Sequence, residues 1–340
     1  MPRHADKQLM EQTDSISPAC PHCGSQKRLP TGRSPKSPYL ENKTYDIVKC
    51  SGCGLLLTEP TPTTEELHDI YEHESYYSTS EAIRGTRDRK SWYADARRLL
   101  REKAVRASYA RPGIHPSLVD RFIGRVLRGR FGWAPTPLEG NRLLDVGSGD
   151  GAFLLDAQKA GWDVVGLDVS SLAARNARSL GLKVLVGEIH NADLDPGSFD
   201  VVRLWSVLEH STQPDVMLRR VHELLAPGGW AIIQVPNATS LVARVSGDRW
   251  PAWDTPIHLT HFTKKTLAAM ADDAGLVPNG IYSTSVGTFA GVLVTPVEPP
   301  PTEITVEHDL AASRLAEARA SQSSSGISRA SMGEAIFAAT

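Results

Sequence analysis

Residues 143–151 decide the fold of this chain and read Leu-Leu-Asp-Val-Gly-Ser-Gly-Asp-Gly. A short apolar run ends in an acid, and glycines then follow at every second position. This pattern predicts a buried strand that runs into a tight turn, with a helix over 152–160 directly after it. Gly147 and Gly149 have no Cβ, so the backbone can approach a ligand closely at these two positions. The stretch therefore predicts a ligand-binding turn at the carboxyl end of a strand.

Asp145, at the tip of this strand, distinguishes between possible ligands. A dinucleotide-binding turn receives a pyrophosphate, which a carboxylate would repel at close range. An acid better suits a cationic ligand, and S-adenosylmethionine, which carries an ammonium and a sulfonium, is the predicted cofactor. A nicotinamide-dependent oxidoreductase stays open as an alternative, because Gly147-x-Gly-x-x-Ala152 formally satisfies the dinucleotide fingerprint. A non-catalytic binding module with the same fold stays open as well.

The composition removes several other function classes. The 340 residues suffice for one large domain and a small one. The formal net charge of −2 at pH 7 gives no support to nucleic-acid binding, so no nucleic-acid partner is expected. The sequence contains no run of about 18 apolar residues that would predict a membrane span, and its polar start lacks the apolar core of a secretory signal. We therefore expect a cytoplasmic protein.

The cysteines form two pairs with matching spacing, Cys20-Pro-His-Cys23-Gly and Cys50-Ser-Gly-Cys53-Gly. Each turn brings two thiolates together, and two such turns supply the four sulfurs of a structural Zn²⁺ site. Redox chemistry needs only one pair, so the spacing favours zinc in a reducing compartment. His22 is expected to be an exposed turn residue rather than a ligand. Whether this ribbon is purely structural, holds a partner or positions an acceptor stays open.

From residue 140 onward, strand and helix patterns alternate, which is typical of a parallel sheet with crossover helices. Strands are predicted at 142–146, 163–167, 183–186, 199–204, 230–235, 280–286 and 289–295, and helices at 152–160, 171–180, 215–225 and 264–274. The predicted fold is α/β: a Rossmann-like, doubly wound, mostly parallel seven-stranded sheet with a small N-terminal zinc ribbon. The predicted segments are a polar tail (1–17), the zinc ribbon (18–58), a helical linker or cap (59–139), the main domain (140–295) and a disordered tail (296–340).

The cap segment contains two predicted helices, over 88–110 and 116–131, after a short helix signal at 64–73. The helical periodicity turns Leu99 and Leu100 of the first helix towards the interior. The same argument turns large apolar residues of the second helix inward, namely Leu118, Phe122, Val126 and Leu127. The arginines of this region are interpreted as a solvated helix face.

Ligands of open parallel sheets bind beyond the carboxyl ends of the strands, and three further strand ends carry suitable groups. Asp168 ends the second strand and suits contact with ribose hydroxyls, although it could instead cap the helix that begins at Ser171. After the third strand, Glu188 and Ile189 are placed to meet an adenine ring through a side chain and a backbone amide. Trp205 ends the fourth strand, which would lie beside the reactive end of the cofactor.

Four motifs, in order, resemble those of the class I S-adenosylmethionine-dependent methyltransferases over roughly residues 140–295. They are the glycine turn at 143–151, Val-Val-Gly-Leu-Asp at 164–168, Phe-Asp at 199–200 with Val-Leu-Glu-His at 207–210, and Leu-Ala-Pro-Gly-Gly at 225–229. The resemblance implies cofactor contacts from Asp145, Gly147, Gly149, Asp168 and Ile189. The zinc knuckles and the patterns Trp-x-x-Trp-Asp and His-Leu-Thr-His-Phe within 250–262 are similar to a subset that methylates sugars, polysaccharides or other small molecules.

A hydroxyl acceptor must lose its proton during methyl transfer, and a neutral histidine suits this task near pH 7. His210 follows the fourth strand, while His258 and His261 lie in the segment before the helix at 264–274. We predict His258 as the base, because Asp254 could orient it. His210 is the alternative catalytic residue, and His261 is interpreted as a helix-flanking residue.

The predicted function is therefore methyl transfer to oxygen or carbon of a small-molecule or carbohydrate acceptor. Trp205, Trp250 and Trp253 are candidates to line the acceptor pocket, and a buried core position is an equal alternative for Trp205. These motifs do not fix the acceptor itself, which is expected to bind between residues 250 and 262.

Overall fold

A computed structural model of the protein describes residues 18–40, 43–63, 66–67, 70, 92–111, 113–131, 140–283 and 289–296. The strands are β1 (Arg28–Arg33), β2 (Asp46–Cys50), β3 (Leu56–Glu59), β4 (Arg142–Val146), β5 (Asp163–Asp168), β6 (Lys183–Val186), β7 (Phe199–Trp205), β8 (Leu225–Pro236), β9 (Thr260–His261), β10 (Leu276–Ser283) and β11 (Phe289–Pro296). The helices are α1 (Trp92–Tyr109), α2 (Leu118–Phe131), α3 (Ala152–Lys159), α4 (Ser171–Arg178), α5 (Pro214–Leu224), α6 (Leu241–Ser246) and α7 (Lys264–Asp273).

Seven strands form the main sheet in the order β10-β11-β8-β7-β4-β5-β6. The strands from β8 to β6 are parallel, and β11 is antiparallel to both β8 and β10. The chain first runs outward from β4 to β6 and then returns to β7 on the other side of β4. The strand order therefore reverses between β4 and β7, which is where ligands of such sheets bind. This confirms the predicted Rossmann-like, doubly wound, mostly parallel fold.

Strand β8 begins earlier than the sequence pattern predicted. The pattern predicts a strand at 230–235, yet Leu225 already pairs with Phe199 of β7. Gly229 allows this, because a Cβ there would lie 2.8 Å from the carbonyl oxygen of Ala226 and 3.2 Å from that of Asp200. The remaining predicted strands and helices of the main sheet differ from the observed bounds only at their ends.

The main sheet is buried on both faces, which explains its near-continuous apolar strands. Leu144 and Val146 of β4 pack into one core, and Leu143 packs into the other together with Val105 of α1 and Leu154 of α3. Alternate residues of β4 thus face opposite layers, as the two-residue period of a strand requires.

Helix α2 turns a different face inward than its periodicity predicted. Leu118, Phe122 and Val126 are 83%, 69% and 60% exposed. The buried face instead contains Gly124, which lies so close to α1 that an added Cβ would come within 2.5 Å of the Cβ of Ala107. Helix α2 therefore packs closely against α1 through Gly124, and its larger apolar side chains stay exposed. The prediction is also wrong for Leu99 and Leu100 of α1, which are 54% and 42% exposed.

A second sheet joins the N-terminal segment to the main domain in the order β1-β2-β3-β9. Its strand β9 belongs to the segment before α7, and Leu56 and Leu57 of β3 pair with His261 and Thr260. Cysteines and leucines of the N-terminal segment also pack into the same core as residues of the main sheet. The expected ribbon and the expected acceptor segment therefore form one continuous structure.

Several sequence predictions fall outside the described residues. These are the polar tail at 1–17, most of the helix predicted at 64–73 and the tail after residue 296. Within the part of the chain that the structure describes, no helix is both long and apolar enough to cross a membrane.

Candidate active site

The glycine turn after β4 adopts a left-handed backbone at its glycines. Gly147 has φ of +69° and donates its N–H to the carbonyl oxygen of Leu167 at 2.7 Å. A Cβ at Gly147 would lie 2.4 Å from Val207 of the segment after β7, so the two strand ends are in contact here. Gly149 has φ of +55°, and a Cβ there would have no neighbour within 4 Å. The turn thus leaves open space above Gly149 for a ligand.

Asp168, at the end of β5, is held by two backbone amides. Its two carboxylate oxygens accept hydrogen bonds from Gly149 at 2.7 Å and from Ser170 at 2.8 Å. Burial raises the pKa of Asp168, and these two hydrogen bonds oppose that rise. Each oxygen keeps a second lone pair, so the carboxylate can still accept a bond from a ligand hydroxyl. Helix α4 is capped by Ser170 rather than by Asp168.

Asp145 forms a buried ion pair that sequence reasoning missed. Its Oδ1 accepts a hydrogen bond from the guanidinium of Arg203 on β7 at 2.7 Å. The guanidinium lies over the rings of Phe153 and Trp205, at 3.9 and 4.6 Å from their centroids. Burial raises the pKa of Asp145, and Arg203 opposes this. Its charge is thus already compensated, which weakens the argument that an acid here selects a cationic ligand. A basic residue inside an otherwise apolar strand was the available signal.

We predict that Arg203→Met destabilises the cofactor-free protein by about 3–5 kcal/mol, because it leaves the Asp145 carboxylate buried without its partner. Urea unfolding measures the loss. The double variant Asp145→Asn/Arg203→Met is the matched control, and it should recover most of that loss because neither charge is then buried alone. A single variant that loses under 1 kcal/mol would contradict the prediction.

The segment after β6 separates the two residues predicted to meet adenine. Glu188 is exposed, and its carboxylate lies 2.9 Å from Nε2 of His190. Ile189 is 1% exposed and packs into the core between the main sheet and its helices. Its side chain is therefore part of the core, and only its backbone amide could contact an adenine ring.

The segment after β7 carries a buried acid that sequence reasoning did not assign. Glu209 is 1% exposed, and in the described part of the chain neither of its carboxylate oxygens has a hydrogen-bond partner. Burial raises its pKa to about 8. One nitrogen or oxygen atom each of Glu209, His210 and His258 lies within 4.8 Å of the others. The structure thus brings His258 next to Glu209 and His210, two neighbouring residues that lie far from it in the sequence.

His258 and His210 lie side by side, with ring centroids 4.6 Å apart. Nδ1 of His258 lies 3.0 Å from the carbonyl oxygen of Ala252, and Nδ1 of His210 lies 3.2 Å from that of Ile257. A carbonyl can only accept, so each Nδ1 carries hydrogen and each Nε2 is left as the basic atom. Burial lowers the pKa of both rings, which keeps them neutral.

Asp254 lies near His258, as predicted, but does not hydrogen bond to it. Its Oδ2 is 3.9 Å from Nε2 of His258, while its Oδ1 accepts a hydrogen bond from the hydroxyl of Tyr39 at 2.9 Å. Burial raises the pKa of Asp254, whereas His258 and the Tyr39 hydroxyl lower it. The carboxylate therefore lies between the imidazole and a residue of the N-terminal segment.

The two tryptophans of the 250–262 segment do not line a pocket in this structure. Trp250 and Trp253 are 3% and 1% exposed and form a small core with Ile47 of β2. They pack the N-terminal segment against the acceptor segment. His261 is also buried, and its Nε2 lies 2.9 Å from the hydroxyl of Thr58. This pairing supports a structural role for His261.

The four cysteines lie close together at one end of the N-terminal segment. The Sγ atoms of Cys20 and Cys53 are 3.7 Å apart, and those of Cys23 and Cys50 are 3.4 Å apart. A tetrahedral site with Zn–S bonds of about 2.3 Å has S···S distances near 3.8 Å, so this set fits zinc. A Cβ at Gly52 would lie 2.9 Å from the sulfur of Cys23, which explains the glycine in the second knuckle.

His22 is not the exposed turn residue that the sequence predicted. Its side chain is only 6% exposed, and its Nε2 lies 2.7 Å from Oδ2 of Asp273 at the end of α7. The first knuckle packs against the main domain, and this contact buries the imidazole. The sequence gives no sign of it, because 251 residues separate the two partners.

Comparison with known proteins decides the family. A model described as "Methyltransferase domain" matches residues 116–278. The chain is 33% identical over 183 residues to a ubiquinone biosynthesis O-methyltransferase of Bordetella avium, covering 46% of this chain and 75% of that protein. The chain belongs to the class I S-adenosylmethionine-dependent methyltransferases. A relative of the same name from Ralstonia nicotianae is 32% identical, covering 47% of this chain and 76% of that protein.

Solved structures resemble this methyltransferase more distantly. An S-adenosylmethionine-dependent methyltransferase from Mesorhizobium loti is 18% identical, covers 46% of this chain and 92% of its own, and has a TM-score of 0.41. One from Aquifex aeolicus is 23% identical, covers 47% of this chain and 84% of its own, and has a TM-score of 0.39. These similarities carry no argument about function.

This methyltransferase is thus an enzyme whose cofactor is S-adenosylmethionine. The family assignment therefore favours this function over the two alternatives left open by the sequence, a nicotinamide-dependent oxidoreductase and a non-catalytic binding module. The space above Gly149 and the neighbouring carboxylate of Asp168 fit such a ligand, because no Cβ fills the turn and the carboxylate can still accept a hydrogen bond from a hydroxyl.

Proposed function

We propose that this methyltransferase transfers the methyl group of S-adenosylmethionine to a hydroxyl of a small-molecule acceptor. The observation that carries the proposal is the pair of neutral histidines, His210 and His258, beside the strand end that touches the glycine turn. Val207 contacts Gly147 of that turn, and the backbone N–H of His210 bonds to the carbonyl of Val207 at 3.0 Å. The relatives named O-methyltransferases support the same reaction.

The cofactor is proposed to bind along the carboxyl ends of β4 to β7. Asp145, Gly147 and Gly149 would form its floor at the glycine turn. The other proposed contacts are Asp168 at the ribose, Glu188 and Ile189 at the adenine, and Trp205 near the reactive end. When bound, S-adenosylmethionine supplies a methyl group activated by its sulfonium, so the protein has mainly to align the acceptor and receive its proton.

His258 is the proposed general base. Its Nδ1–H is directed at the carbonyl of Ala252, so Nε2 has the free lone pair and takes the proton of the acceptor hydroxyl. The imidazolium that forms would lie 3.9 Å from the carboxylate of Asp254, which stabilises the positive charge. His210, in ring contact with His258, is the second proposed catalytic residue and would border the acceptor.

The ribbon is proposed to hold one structural Zn²⁺ through Cys20, Cys23, Cys50 and Cys53. Although burial opposes ionisation, hydrogen bonds from the backbone amides of Cys53 and Gly52 lower the pKa of Cys50 to about 6. A thiolate at this position suits a cation. Four sulfur ligands complete a tetrahedron, so the metal would stabilise the ribbon and take no part in methyl transfer. The free thiols also fit the proposed cytoplasmic location.

An acceptor screen tests the proposed function. The full chain is incubated with methyl-labelled S-adenosylmethionine and either phenols and catechols or free and nucleotide-linked sugars. We expect label on the oxygen of an acceptor hydroxyl, and calorimetry should show S-adenosylhomocysteine binding without NAD binding. Label found only on carbon would contradict the proposed transfer to a hydroxyl. Mass spectrometry of the product distinguishes the oxygen and carbon positions.

A further inference from the structure

One polar side chain of the N-terminal segment contacts Asp254, the carboxylate beside the proposed base. Neither cofactor binding nor zinc binding explains this contact. The hydroxyl of Tyr39 donates a hydrogen bond to Oδ1 of Asp254 across 215 positions of sequence. Tyr39 and Leu40 also pack against Ile257, so the contact belongs to a small apolar cluster. The Tyr39 ring is therefore held at this position by packing as well as by its hydroxyl.

The turn around Tyr39 is fixed by its own hydrogen bonds. The hydroxyl of Ser37 accepts the backbone N–H groups of Tyr39 and Leu40, both at 3.1 Å. The backbone N–H of Ser37 bonds to the carbonyl of Lys43 at 2.9 Å and closes the loop. These hydrogen bonds hold the backbone from which the Tyr39 side chain extends, so the position of its hydroxyl is defined.

Asp254 is equally restrained at the other end of the contact. Its backbone is left-handed, with φ of +38°, and its carbonyl accepts the backbone N–H of His258 at 3.1 Å. The same turn therefore sets the position of the carboxylate and of the imidazole. With Oδ1 bound to Tyr39, Oδ2 is the oxygen that faces Nε2 of His258, at 3.9 Å.

We propose that Tyr39 is a positioning residue for methyl transfer, because its hydroxyl holds Asp254 with one carboxylate oxygen directed at the proton-accepting nitrogen of His258. This inference rests on the proposed role of His258 as the base. It makes the ribbon part of the acceptor half of the active site. Tyr39 acts through Asp254 and is not itself expected to touch the acceptor.

The surroundings of His258 determine the expected direction of the effect. Glu209 and His210 face it from the segment after β7, His261 faces it from β9, and Asp254 lies on its own turn. Burial lowers the pKa of His258, and among these groups Asp254 opposes that change. Freeing or neutralising the carboxylate should therefore lower the pKa of His258 further and weaken it as a base.

Two variants and one control test the inference in the full-length, zinc-loaded protein with S-adenosylhomocysteine bound. Histidine NMR follows the titration of His258, which is assigned with His258→Asn. We expect Tyr39→Phe and Asp254→Asn both to lower the pKa of His258, the second more than the first. Tyr45→Phe is the control, because it removes a buried tyrosine hydroxyl of the ribbon whose charged neighbours are Lys43 and Glu66 rather than Asp254.

Methyl transfer to the acceptor identified in the screen provides the second readout. Tyr39→Phe should lower kcat about tenfold with little change in KM, the size expected for one hydrogen bond to a charged group. An unchanged His258 titration in Tyr39→Phe, or a change equalled by Tyr45→Phe, overturns the inference. The titration needs no acceptor, so a failed screen would overturn the proposed function without deciding the role of Tyr39.

Discussion

His258→Asn should lower kcat about 100-fold while the affinity for S-adenosylhomocysteine stays within a factor of two. Asparagine keeps a donor close to the position of Nδ1 and can preserve the hydrogen bond to Ala252, whereas it lacks Nε2. The variant therefore removes the basic atom and keeps the contact that holds the turn. Steady-state kinetics and calorimetry measure the two effects separately.

The pH profile gives an independent check on His258. Burial lowers its pKa, so the ring stays neutral below the ordinary value of about 6.5. The acid limb of kcat/KM for the wild type should accordingly lie below pH 6.5, and His258→Asn should lose that limb. His222→Ala, in α5, is the control and should leave both rate and profile unchanged. Full activity of His258→Asn would transfer the role to His210 or remove the need for a base.

Loss of the zinc site should produce the largest effect on stability. Structural Zn²⁺ contributes apparent binding free energies of about 10–16 kcal/mol in small domains, and Cys50→Ser removes one of four ligands. We expect one zinc ion per wild-type chain, a metal-deficient variant and a clearly lower melting temperature. Ser51→Ala, in the same knuckle but outside the ligand set, should retain metal and melting temperature. A metal-free variant that melts like the wild type would contradict a structural zinc site.

The same variant should also impair methyl transfer, although no cysteine lies in the proposed cofactor site. Strand β3 pairs with β9, and the backbone N–H of Thr58 bonds to the carbonyl of Leu259 at 3.0 Å. Unfolding of the ribbon should therefore release the segment that carries His258. Hydrogen exchange should rise over residues 255–262 and stay low over 142–151, with kcat reduced at least tenfold. Increased exchange confined to residues 18–58 would contradict this coupling.

Sequence reasoning could propose those candidate site residues that belong to local motifs of the chain. The glycine turn, Asp168 and the cysteine pairs each lie within a few residues, and local backbone or ligand geometry demands those residue types. Partners distant in sequence were missed: Arg203 against Asp145, Asp273 against His22, and Tyr39 against Asp254. Each of these contacts depends on how separate elements pack, and a single sequence carries no signal for such pairs.

The Rossmann-like sheet and the glycine turn could be predicted from the sequence alone, because strand and helix periodicities and backbone freedom are local properties. The same holds for the two cysteine turns. In contrast, the folded structure was needed to show that β9 completes the ribbon sheet, that α2 packs through Gly124, and that His258 lies beside His210. These outcomes depend on the shapes of surfaces that come into contact only in the folded chain. They also depend on which side chains this packing buries.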